Sequence, residues 1–99
     1  MSFLTVHPEI MTASALDLQS IGTQIAAVNA AVATPTTGVM PASADEVSAL
    51  AAAHFVAHAQ MYQAVSAQAS ATHQMFVTNL GASADSYAAT EAANVLATR

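Results

Sequence analysis

The sequence predicts an all-α protein organised as one long antiparallel helical hairpin. Three observations carry this reading. Ser43 to Leu80 contains neither Gly nor Pro. A second amphipathic run opens at Pro8-Glu9. Between the two lies Thr34-Pro35-Thr36-Thr37-Gly38-Val39-Met40-Pro41-Ala42, whose two prolines and one glycine suit a reversal of direction between helices.

The first helix is expected over about residues 8–33. Pro8 has the fixed φ of a first helical turn, and the Glu9 carboxylate faces the positive end of the helix dipole. Met11, Leu18, Ile25 and Val32 recur every seven residues, with Ile21 and Val28 between them, as in a coiled-coil seam. Gly22 lies beside that seam. It either lets another backbone approach or is a tolerated helix glycine costing about 1 kcal/mol against Ala. Thr34-Pro35 is expected to end the helix, because a residue before Pro is pushed out of the α region. The turn then occupies 34–43.

The second helix is expected over about residues 44–80. Ser43-Ala44-Asp45-Glu46 reads as a capping box, with the Ser43 hydroxyl on the Glu46 N–H and the Glu46 carboxylate reaching back. At 100° per residue, Val47, Leu50, Ala51, His54, Phe55, His58, Met61, Tyr62, Val65, Ala69, Thr72, Phe76 and Leu80 share one broad arc. Ser48, Ala52, Ala53, Gln60, Gln63 and Ser66 lie on the other side. Gly81 is expected to close the helix as a C′ residue. Residues 81–99 then form a frayed or short-helical tail, in which Ser83 could cap a new turn near Asp85.

Composition narrows the functional classes. About a quarter of the residues are Ala, so 55% hydrophobic content supplies few large core side chains. One Lys or Arg stands against six Asp and Glu, a net charge of −5, so the chain has no basic patch with which to neutralise phosphates. Nucleic acids and anionic membrane surfaces are poor partners for it. There is no cysteine, hence no disulfide framework and no thiolate metal site. The N-terminus lacks the basic and apolar regions of a secretory signal peptide, and no apolar run is long enough to span a bilayer.

No catalytic, cofactor or metal site is expected. His54 and His58 have the i, i+4 spacing of two zinc ligands, but the Glu of a His-Glu-x-x-His motif and a third ligand are missing. They read as histidines at an interface or core edge, donating to a partner carbonyl. Met11, Met61 and Met75 are read as gap-filling residues. The carboxylates serve capping and solubility, and no Ser sits in a nucleophile elbow.

Two helices leave a wide apolar arc uncovered, so the hairpin is expected to complete a four-helix bundle with a partner or to self-associate. The partner face is assigned to Leu18, Ile21, Ile25 and Val28 of the first helix. From the second it takes Val47, Leu50, His54, Phe55, His58, Met61, Tyr62, Val65 and Phe76.

The residues that carry a family resemblance are spread along the chain. They are Met1-Ser2-Phe3, Pro8-Glu9, Thr34-Pro35-Thr36-Thr37-Gly38-Val39 and Asp45-Glu46-Val47-Ser48-Ala49-Leu50. Ala57-His58-Ala59-Gln60, Tyr62-Gln63-Ala64-Val65-Ser66-Ala67-Gln68 and Ser86-Tyr87-Ala88-Ala89-Thr90-Glu91 continue the series. In this order the chain resembles the PE family of mycobacteria, in a short form without the long extensions of some members. The resemblance implies a non-enzymatic hairpin that forms a heterodimer with a PPE-family protein. It also implies export to the cell surface or medium by an ESX (type VII) secretion system, with an EspG-type chaperone acting through the PPE partner. Pro8-Glu9 would be the family's N-terminal motif, and Tyr87-x-x-x-Glu91 fits its Tyr-x-x-x-Asp/Glu export motif. Two alternatives from other classes are a self-associating homo-oligomeric helical adaptor and a His-dependent metalloprotein.

Overall fold

The computed structural model describes residues 5–98. Two helices make up its regular structure, α1 (Pro8–Thr37) and α2 (Glu46–Ala97). The Met1-Ser2-Phe3 block and Arg99, the last residue of the expected tail, lie outside the described residues.

The start of α1 is where Pro8-Glu9 puts it. The His7 carbonyl accepts from the Ile10 and Met11 amides at 3.0 and 3.1 Å, which makes His7 the N-cap and Pro8 the first helical residue. Its end differs from expectation. The helix continues past residue 33 and takes in Thr34 and Pro35 before stopping at Thr37. Proline removes one amide and disfavours the α region before it, but this close to the terminus the lost bonds are made up locally. Thr36 Oγ1 donates to the Val32 carbonyl at 2.6 Å, Thr37 Oγ1 to the Ala33 carbonyl at 2.7 Å, and the Gly38 amide to the Thr34 carbonyl at 3.0 Å.

Helix α2 is capped two residues later than the capping-box reading places it. Asp45 is the N-cap: its Oδ1 accepts from the Ser48 amide at 2.7 Å and its carbonyl accepts the Ala49 amide at 3.1 Å. Ser43 donates its hydroxyl to Asp45 Oδ2, so it supports the cap and does not form it. These bonds hold the Asp45 carboxyl below its ordinary value, the Ser43 hydroxyl contributing most and the Ser48 amide next.

The far end of α2 is a second correction. Gly81 does not terminate the helix, and the expected tail is its continuation to Ala97. No glycine has positive φ, so Gly81 is helical and not the left-handed C′ residue a Schellman ending requires. One glycine costs about 1 kcal/mol, which the strongly helix-forming Ala-rich sequence on both sides outweighs.

Two compact units are distinguishable: the described parts of Met1–Gly22 with His73–Arg99, and Thr23–Thr72. In each, a segment of α1 packs against a segment of α2. In the first, Leu18 and Gly22 meet His73. In the second, Asn29 meets Tyr62 and Gln63.

Candidate functional site

The contact between the helices is made of small residues. The buried apolar side chains are Ala15 and Ala84 in one unit and Ala52 and Ala59 in the other. Around them the less exposed positions recur at three- and four-residue spacing. On α2 they are Ser48, Ala52, Val56, Ala59, Gln63 and Ser66 in the Thr23–Thr72 unit, and His73, Val77, Leu80 and Ala84 in the other. That is a coiled-coil period, and in the Thr23–Thr72 unit it runs through the side of α2 that the helical wheel sets opposite the broad arc. Ser48, Ala52, Gln63 and Ser66 therefore face inward, which corrects the sequence reading. The cause is geometric: a two-helix contact is one side chain wide, and small residues there allow close approach of the backbones.

Most of the large apolar side chains consequently lie outside the seam. On α1 the expected heptad holds at Met11 and Leu18, which are half-buried, but then passes to Gly22, Asn29 and Ala33. Ile21, Ile25 and Val28 are left exposed, Ile25 at 54%. On α2, Val47, Leu50, Phe55, Met61, Tyr62, Val65 and Phe76 are all exposed, Phe55 at 65%. His54 and His58 are exposed as well, and no buried side-chain nitrogen or oxygen lacks a partner among the described residues.

Within the Thr23–Thr72 unit four of the expected partner-face residues come together. Val28, with Val32 and Pro35 of α1, and Phe55, His58 and Tyr62 of α2 line an open groove of about 490 Å³. Tyr62 Oη donates to Asn29 Oδ1 at 2.8 Å and Gln63 Nε2 to the Asn29 carbonyl at 3.1 Å, fixing one wall of that groove. The sequence reading missed Asn29; an amide in the middle of a heptad run is the signal that could have found it.

In the other unit the polar contact is made by His73, which the sequence reading also left without a role. Its Nε2 donates to the Leu18 carbonyl at 2.7 Å, and its ring lies over Gly22. Gly22 does permit a close approach, of an imidazole and not of a backbone. Tyr87 lies further along α2, with Ser83, Ser86 and Thr90 beside it in a shallow groove, and Glu91 is exposed one turn on.

Among the described residues no three His, Cys, Asp or Glu side chains are grouped to hold a metal ion, and no helix is long and apolar enough to cross a membrane. What the arrangement provides is a helical hairpin whose contact is lined by alanine and most of whose bulky apolar side chains are exposed. The chain belongs to the PE family, whose sequence profile matches residues 4–94. It is 62% identical over 97 residues to the PE family protein PE13 of Mycobacterium tuberculosis, covering 98% of both chains. It is 55% identical over 94 residues to PE8 and over 92 residues to PE cleavage protein A of the same species. The chain spans 34% and 16% of the length of those two proteins. The PE family is one that pairs with PPE proteins, and its members are of secreted or cell-envelope type.

Proposed function

We propose that this chain is a non-enzymatic module that forms a heterodimer with a PPE-family protein and is exported as that complex by an ESX (type VII) secretion system. The observation that supports it is the outward placement of the large apolar residues. Ile25 is 54% exposed, Phe55 65% and Phe76 56%, and a second helical pair laid on such residues would complete a four-helix bundle. The partner face comprises Ile21, Ile25 and Val28 of α1 with Val47, Leu50, His54, Phe55, His58, Met61, Tyr62, Val65 and Phe76 of α2, and Leu18 at its edge. The EspG-type chaperone acts through the PPE partner, and the complex works outside the cytoplasm, at the cell surface or in the medium.

The competing reading is self-association. Two copies would bring together net charges of −5 each, with a single Lys or Arg per chain to offset them, which disfavours that reading. Light scattering decides. The chain expressed with a PPE partner is expected to give a one-to-one complex, and a stable homo-oligomer that ignores every PPE partner offered would reject the proposal.

A further inference from the structure

A helix contact made of alanines specifies its own alignment poorly. Ala52 and Ala59 stand one heptad apart and are buried to nearly the same degree, 7% and 8% exposed, so a slide of seven residues exchanges one alanine for another. Small side chains bury little area, and the free-energy difference between such alignments is correspondingly small. A polar contact has to choose, and in the Thr23–Thr72 unit Tyr62 and Gln63 supply one on Asn29.

His73 makes a contact that survives in only one alignment. Its Nε2 donates to the Leu18 carbonyl at 2.7 Å, a bond that a carbonyl, able only to accept, requires of a protonated Nε2. Its ring fills the space left by Gly22: a Cβ at that position would stand 2.7 Å from Cδ2 and 2.8 Å from Nε2, closer than real atoms approach. A slide of one heptad in either direction would bring the ring over Ala15 or Asn29, each of which has a Cβ. Gly22 is the one glycine between Pro8 and Thr37, so α1 offers no second notch. A single buried polar residue setting register, as Asn does at a coiled-coil core position, is the general form of this device.

We infer that His73, seated at Gly22 and bonded to the Leu18 carbonyl, is a positioning residue that fixes the register of α2 on α1 in the unit that these residues share. A slip of one heptad would move α2 by about 10 Å along α1, at 1.5 Å per residue. It would carry Tyr87 and Glu91 with it, so the same contact sets how far this pair projects beyond the start of α1. That last consequence bears on export only through the function proposed above.

The absence of cysteine lets two be introduced and spin-labelled without interference. Labels at Ala13→Cys and Ala82→Cys, both exposed, report the register of the full-length chain by pulsed electron resonance. The unsubstituted contact is expected to give one narrow distance. Gly22→Ala and His73→Ala should each add a population shifted by up to about 10 Å. His73→Gln, which keeps a donor, should restore much of the native peak. The double change Gly22→Ala with His73→Ala removes the clash together with the bond, so it is expected to stay helical by circular dichroism yet lose its single register. A narrow, native distance in that double variant, or in both single variants, would overturn the inference. The distances are measured without secretion, so their outcome is separate from that of the export reading.

Discussion

Tyr62 Oη donates to Asn29 Oδ1 at 2.8 Å while half of the Tyr62 surface stays open to solvent. One residue thus closes the hairpin with its hydroxyl and offers its ring to whatever lies outside. The two roles are separable. Tyr62→Phe should lower hairpin stability by about 0.5–1 kcal/mol and leave co-purification with a PPE partner intact. A joint change of Phe55 and Tyr62 to Asp should abolish co-purification, because it puts charges into a desolvated apolar contact. Gln60 is the fitting control. Gln63 is not, since it donates to the Asn29 carbonyl.

The exposed stripe of α1 makes a prediction that depends on the assembly. Ile21→Ala and Ile25→Ala should change the melt of the isolated chain little and cost about 2–5 kcal/mol each in the complex, where the side chains would be buried. Leu16 is exposed but displaced from that stripe, and Leu16→Ala should cost less in the complex. A larger loss at Leu16 than at Ile21 and Ile25 in thermal melts of the complex would place the partner on another side of α1.

Acidification should loosen the first turn of α2. The Asp45 carboxyl is held below its ordinary value of 3.8 by the Ser43 hydroxyl and the Ser48 amide. A group whose value is lowered by folding stabilises the fold above its unfolded value, and that contribution disappears as pH falls through the folded one. Amide exchange at Ser48 and Ala49 should therefore quicken below about pH 4 relative to the rest of α2. Asp45→Asn keeps an acceptor without the titration and should remove that part of the pH dependence.

Gly81→Ala should stabilise the chain by about 1 kcal/mol. The residue is helical, its φ is not positive, and a Cβ there would meet no atom within 4 Å. A raised midpoint by circular dichroism is the expected result. A lowered one would show that the glycine is needed for an approach made by another molecule.

Tyr87 and Glu91 should act in export and not in assembly. Both lie on the outer part of α2, where the i, i+4 spacing sets an aromatic hydroxyl and a carboxylate on one helical face. Tyr87→Ala and Glu91→Ala, made separately in the native host, should leave the intracellular complex intact and remove it from the culture filtrate and cell surface. Normal export of both variants would reject the assignment, and loss of the intracellular complex would make the pair structural.

The helix count and the start of α1 were legible because Pro8-Glu9 acts through the backbone alone, whereas the turn begins only after Thr37, since Thr34 and Pro35 belong to the last turn of α1. The orientation of the helices about their own axes was not legible. The helical wheel marks the arc that stays uncovered, but it also draws the hairpin contact from that same arc. Here Ala52 and Ala59 take the interior and Phe55 and Met61 do not. Gly81 misled for a related reason: glycine permits a left-handed ending without requiring one, and only the continuation through Ser86 to Ala97 decides. His73 was illegible because its meaning rests on Gly22, fifty-one positions away in sequence.

The alanine seam also has a calorimetric consequence. The heat capacity of unfolding arises mainly from newly hydrated apolar surface and is normally about 12–15 cal/mol/K per residue. A hairpin whose Ile, Val, Phe and Met side chains are already hydrated when folded has little of that surface left to expose. Its increment per residue should fall well below the usual value, leaving a stability curve that is shallow, nearly free of cold denaturation, and broad in its thermal transition. Once those side chains are covered by another molecule the curvature should return, and with it a sharp melt.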